Sequence, residues 1–178
     1  MSTSTLLAIL IPVAVVVLLA AMAGWMLQRR RRLQERFGPE YERTVEREGS
    51  KRAADAELRA REARHDDLDI RELPPERRHE YADAWFGVQQ RFVDRPEGAV
   101  AQADELVTRL MRERGYPTEG YEQQLSALSV EHGRTLEHYR SAHEVNVRSA
   151  DGKATTEELR GAMVHYRALF DELIGSTR

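Results

Sequence analysis

Two tripeptides of one composition, His138-Tyr139-Arg140 and His165-Tyr166-Arg167, are the residues in this chain whose types most invite chemistry. A phenol and a guanidinium from each of two helices could line a shared pocket for an anion or a carboxylate, because a guanidinium offers two parallel hydrogen bonds to such a group. His143, one turn beyond Tyr139, would add a group that titrates near neutral pH. Tyr81 and Trp85 fall at helical spacing and could border the same cleft. Packing is the competing reading. In both tripeptides the tyrosine sits on the apolar side, aromatic stripes are ordinarily core, and arginines lay their stems along a core with the heads in water.

Metal and catalytic signatures fail on inspection. His143-Glu144 begins like the zinc-protease helix HExxH, but Val147 stands where the second ligand is needed. His138 and His143 are five residues apart and point to different sides, while Glu131 and His138 share a side but make only two ligands. The chain has no cysteine, which removes disulfide frameworks, thiolate nucleophiles and cysteine metal sites. Phosphate loops, dinucleotide fingerprints and nucleophile elbows are missing from the sequence. No catalytic residue, no metal and no cofactor is therefore expected.

The elements that would position these residues are helices. Tyr81, Trp85, Val88 and Phe92 recur at helical spacing from Pro75 to Asp94-Arg95-Pro96. Val100, Ala103, Val107 and Leu110 form a second stripe ending at Gly115-Tyr116-Pro117. A short piece around Tyr121 to Leu128 leads to a third helix expected to start between Ser129 and Gly133, with Leu136, Tyr139, His143 and Val147 along its side. The last helix carries the clearest start signal: Thr155-Thr156-Glu157-Glu158 fits a capping box, followed by an apolar face from Leu159 to Leu173 that ends at Gly175. No alternating strand pattern competes, so the fold class is all-α, with residues 74–178 a soluble bundle of about four helices.

Upstream lies an apolar run without a charge from Leu6 to Leu27, about 33 Å as a helix and enough to cross a bilayer core. Trp25 and the cluster Arg29, Arg30, Arg31 and Arg32 mark its membrane interface. A cleaved signal segment is the alternative, with Ala21-Met22-Ala23 as a cleavage pattern, which would make the protein exported. The uncharged start, the length of the run and the arginines directly after it oppose that reading. By the positive-inside rule, residues 1–5 are placed outside the cell, 6–27 span the cell membrane as a single-pass transmembrane helix, and the C-terminal domain is cytoplasmic. Ala20 and Gly24 form a small-xxx-small pair through which a homodimer could form.

Residues 28–73 are read as a basic juxtamembrane segment and helical stalk. Leu33, Phe37, Tyr41 and Val45 recur every fourth residue, interrupted by Gly38-Pro39, so the helix breaks there. That seam could lie along an anionic inner leaflet, although five interleaved glutamates favour a merely solvated flank. Residues 51–66 are strong helix formers with few large apolar groups and no evident face to bury. Pro74-Pro75 mark the boundary with the distal domain. Charge divides along the same line. Residues 28–52 carry nine basic groups against five acids, and residues 74–178 fourteen against eighteen, which argues against nucleic-acid binding.

The segments FGPEYERTV, YADAWFGVQQRFVDRP, ADELVTRLMRERGYP, YRSAHE and TTEELRGAMVHYRALFDEL resemble a family of small single-pass membrane proteins of actinobacteria, sometimes labelled secreted, over about residues 28 to 174. The resemblance implies an anchored organisation and supplies no catalytic residues. The expectation is a membrane-anchored, non-enzymatic interaction module whose partners are the lipid bilayer and a protein. Its rival is a small ligand sensor or enzyme built around Tyr139, His143 and Tyr166 between helices.

Overall fold

A computed structural model of the chain describes residues 3–175, with side chains from Val13 onward. Met1, Ser2 and the side chains up to Pro12, which include most of the expected outer terminus, lie outside the described residues. Eight α-helices and no strand occur among the described residues.

Helix α1, Thr3–Phe37, is unbroken through the apolar run and continues ten residues past Leu27. It is long and apolar enough to cross a membrane, and none of its apolar stretch from Val13 is buried by the rest of the chain. Gly38 ends it with φ +53°, a left-handed conformation that suits glycine, and Pro39 opens α2, Pro39–Glu48. Gly49, at φ +69°, reverses the chain again. Ser50 then caps α3, Lys51–Asp66, by accepting from the Ala53 amide.

The seam of α1 and α2 turns inward. Leu33, Phe37 and Tyr41 are buried and, with half-buried Val45, pack against Leu58 of α3 and Val130. The seam therefore has a protein partner and is closed to a leaflet. Residues 51–66 also have a face after all: Ala54, Leu58, Arg61 and His65 are buried at spacings of four, three and four. Only one of them is a large aliphatic side chain, so the stripe does not stand out by hydrophobicity.

Four long helices make the larger core. They are α4, Pro75–Asp94; α5, Pro96–Arg114; α7, Leu136–Ala150; and α8, Thr156–Ile174. Ion pairs and hydrogen bonds set their directions. Arg77 meets Glu113 and Arg91 meets Gln102, so α4 and α5 are antiparallel. Arg148 meets Glu158 and Thr135 meets Glu172, so α7 and α8 are antiparallel too. Trp85 stacks on Phe170 with centroids 4.8 Å apart, and Val107, Leu110, Leu128, Leu136, Leu159 and Leu169 are fully buried around them. Each such side chain contributes roughly 1.5–3 kcal/mol of burial.

The short helix α6, Tyr121–Glu131, connects the two cores by contacting α1 and α3 on one side and α7 on the other. It runs three residues further than the sequence suggests, and α7 starts at Leu136, beyond Gly133. His132 leaves the helical region at φ −116°, its carbonyl accepts from the Thr135 hydroxyl, and Gly133 presses against the end of α1. A Cβ at Gly133 would lie 2.6 Å from the Phe37 carbonyl oxygen. The capping box at α8 forms as the sequence predicts: the Thr155 hydroxyl accepts from the Glu158 amide, and the Glu158 carboxylate accepts from the Thr155 amide.

Candidate functional site

The antiparallel packing of α7 and α8 sets the two His-Tyr-Arg tripeptides face to face. His138 and His165 stack with centroids 4.9 Å apart and Nδ1 atoms 2.8 Å apart. Tyr139 and Tyr166 meet edge to face at 6.1 Å. The arginines part company. Arg140 reaches α2, whereas Arg167 pairs with Asp171 and lies over the rings of Trp85 and Phe170.

The tyrosines line no open pocket. Tyr139 and Tyr166 are 1% and 0% exposed, the first donating to Gln124 Oε1 at 2.7 Å and the second to Asp104 Oδ1 at 2.7 Å. His143 approaches the same Asp104 oxygen at 3.4 Å and stacks under Tyr121 at 4.1 Å. Burial pushes both phenols above the ordinary tyrosine range, and the Asp104 charge pushes them further. They remain protonated hydrogen-bond donors at neutral pH. Tyr81 is held in the same manner, donating to Glu113 at 2.8 Å, and burial followed by that carboxylate raises it to about 12. Trp85 is 1% exposed, and among the described residues its indole N–H has no acceptor.

Arg140 does hold a carboxylate, and that carboxylate belongs to the chain itself. Glu40 of α2 is 3% exposed and accepts from Arg140 at 2.7 and 3.0 Å and from Arg61 of α3 at 3.1 Å. Arg61 also donates to Ser129 of α6 at 3.3 Å and to Glu57 at 3.0 Å. Burial alone would raise the Glu40 carboxyl, but the hydrogen bonds and charge of Arg140, then of Arg61, outweigh it and hold the group below the ordinary range. One buried anion thus ties α2, α3, α6 and α7 together. Neither Glu40 nor Arg61 stood out in the sequence, although Glu40 falls three residues after Phe37 on the buried seam.

A second polar cluster was also missed. Glu172 Oε2 lies 2.7 Å from His132 Nδ1 and accepts from the Thr135 hydroxyl at 2.7 Å. His132 Nε2 stands 3.2 Å from the Tyr116 hydroxyl, which donates to Glu131 at 2.8 Å. Desolvation raises Glu172, yet its bonds to His132 and Thr135 prevail and lower it. The cluster walls a surface cavity of about 430 Å³ together with Arg78 and Arg114. Those guanidiniums donate to the backbone carbonyls of Leu73 and Leu173, and Glu72, Glu131 and Glu172 share the wall with them, so the cavity is charge-mixed rather than anion-selective.

Among the described residues, no group of three or more metal-ligating side chains converges. At the other end of the chain, Trp25 is exposed on α1 with the Arg29 guanidinium over its ring at 4.9 Å, and Gly24 has open space around it. No protein-family model, no curated protein and no solved structure matches this chain.

Proposed function

We propose that the chain is a membrane-anchored helical interaction module without catalytic activity of its own, with α1 as a single-pass anchor and residues 28–178 on the cytoplasmic face. The single observation that carries this reading is a contrast in burial. Tyr139 and Tyr166, where a pocket would have to open, are sealed in a core, whereas the apolar side chains of α1 from Val13 to Leu27 are all exposed. Such uncovered apolar side chains, on a helix long and apolar enough to cross a membrane, support a bilayer anchor. Orientation follows from Arg29 to Arg32, which resist transfer across the membrane. Tethering raises the local concentration of the bundle near membrane-bound protein partners, so that modest affinity suffices.

Fractionation followed by co-purification tests this. The expected result is a chain that stays in carbonate-washed membranes with residues 1–23 attached and brings a protein partner through detergent extraction. Recovery from the medium, trimmed after Ala23, would overturn it.

A second reading, a ligand sensor, is favoured by the cavity beside His132 and Glu172 rather than by the tyrosine pair. A small carboxylate or amine that raises the melting temperature of the wild type but not of His132→Asn would establish it.

A further inference from the structure

We infer that the turn between α2 and α3 returns to the bilayer and, together with the arginines of α1, forms a binding surface for anionic phospholipid headgroups. The inference rests on the reading of α1 as a membrane span.

Two ion pairs carry the geometry. Arg30 of α1 lies 3.6 Å from Asp55 of α3, and Arg36 lies 3.0 Å from Glu62. Both helices therefore run in the same direction, with α3 residues offset by 25 to 26 from those beside them on α1. Carried back four positions from Asp55, the offset sets Lys51 level with Trp25 or Met26, within about one helical turn given the reach of the side chains. Trp25 is the residue that marks the headgroup level. The chain thus leaves the membrane along α1, climbs about 15 Å to Phe37, and comes back down through α2 to Gly49 and Ser50.

Charge distinguishes this end of the molecule. Arg29, Arg31, Arg32, Lys51 and Arg52 are all exposed, and among the described residues none of the five takes part in an ion pair. Elsewhere most cations are matched. Arg36, Arg43, Arg61, Arg77, Arg140 and Arg148 all have carboxylate partners within 3.1 Å. Five unmatched cations from two separate segments, within about two helical turns of an interface tryptophan, are complementary to phosphate groups of the inner leaflet. Arginines directly after a span serve orientation in any case; Lys51 and Arg52 are twenty residues further along the chain and need no such role. They reach the leaflet only because α2 folds back and sets the start of α3 beside α1.

Lipid competition tests this on the full-length chain. Wild type, Lys51→Gln/Arg52→Gln and a control, Arg95→Gln/Arg134→Gln, which alters exposed cations of the distal bundle, are extracted in mild detergent and offered equal amounts of phosphatidylglycerol and phosphatidylcholine. Retained lipid is then read by native mass spectrometry, with circular dichroism confirming the fold of each variant. Wild type and control should retain phosphatidylglycerol preferentially, and Lys51→Gln/Arg52→Gln should lose roughly 30-fold of that preference, from the usual effect of two basic groups at an anionic surface. A double variant that keeps the wild-type preference, or a wild type with none, overturns the inference. The anchor reading fails separately, if the wild-type chain washes off membranes in carbonate before any lipid is offered.

Discussion

Glu40 and Arg140 stand 100 residues apart in the chain and share two hydrogen bonds, at 2.7 and 3.0 Å. The contact fastens the juxtamembrane helices to the distal bundle, with Arg61 completing the charge balance on the other side of the carboxylate. A buried ion pair adds little net stability compared with an apolar replacement, but removing one partner strands the other in a poorly solvated site. Glu40→Gln should therefore cost about 3–5 kcal/mol. Glu137→Gln, at a largely exposed carboxylate on α7, should cost under about 1 kcal/mol. Thermal unfolding of the detergent-solubilised chain, followed by circular dichroism, checks both. The Glu40 carboxyl is depressed in the folded state, so its contribution is complete above about 4.5, its ordinary value, and is lost as pH falls through the folded value. The gap between wild type and Glu40→Gln should narrow on acidification.

Docking of the α1 extension on the α6–α7 turn makes Gly133 intolerant of a side chain. A Cβ there would meet the Phe37 and Ser129 carbonyl oxygens at 2.6 and 3.1 Å. Gly133→Ala should destabilise by about 1–3 kcal/mol through overpacking. Gly161 sits in α8 with nothing within 4 Å of its Cβ position, and Gly161→Ala should stabilise by about 0.4–1 kcal/mol. Melting temperatures moving in opposite directions would be the signature. Equal behaviour of the two variants would mean that residues 28–66 stand free of the bundle.

The facing histidines give stability a pH dependence of defined sign. With Nδ1 atoms 2.8 Å apart, one of His138 and His165 must accept while the other donates. Burial, and then the neighbouring His138, lowers His165 below its ordinary 6.5. Between 6.5 and the folded value the unfolded chain binds more protons than the native one, so stability rises with pH across that window and falls as pH drops below 6.5. His165→Asn should flatten the decline. Melting curves at a series of pH values around and below 6.5, for both proteins, measure it.

Helix boundaries were legible where the chain itself imposes them. Gly38-Pro39, Pro74-Pro75, Arg95-Pro96, Gly115 and the Thr155 capping box act through local backbone geometry, and each ends or starts a helix where the residues predict. The buried face of α3 was not legible, because Arg61 and His65 become interior residues only through partners on other helices. The same holds for Glu40, whose burial is stable only between two guanidiniums distant in sequence. The repeated His-Tyr-Arg tripeptides were half legible. Shared helical phase brings the histidines and tyrosines together, but long arginine side chains follow whichever carboxylate lies within reach, and those lie on different elements.

Orientation of the bundle relative to the membrane is the claim on which the proposed function stands, and the chain suits a direct measurement because it contains no cysteine. Val93 of α4 is 84% exposed, so Val93→Cys offers a single reactive thiol on the distal bundle. A membrane-impermeant maleimide should leave this variant unlabelled in intact cells and label it fully once the membrane is opened. Labelling of Val93→Cys in intact cells would place the bundle outside and contradict the account.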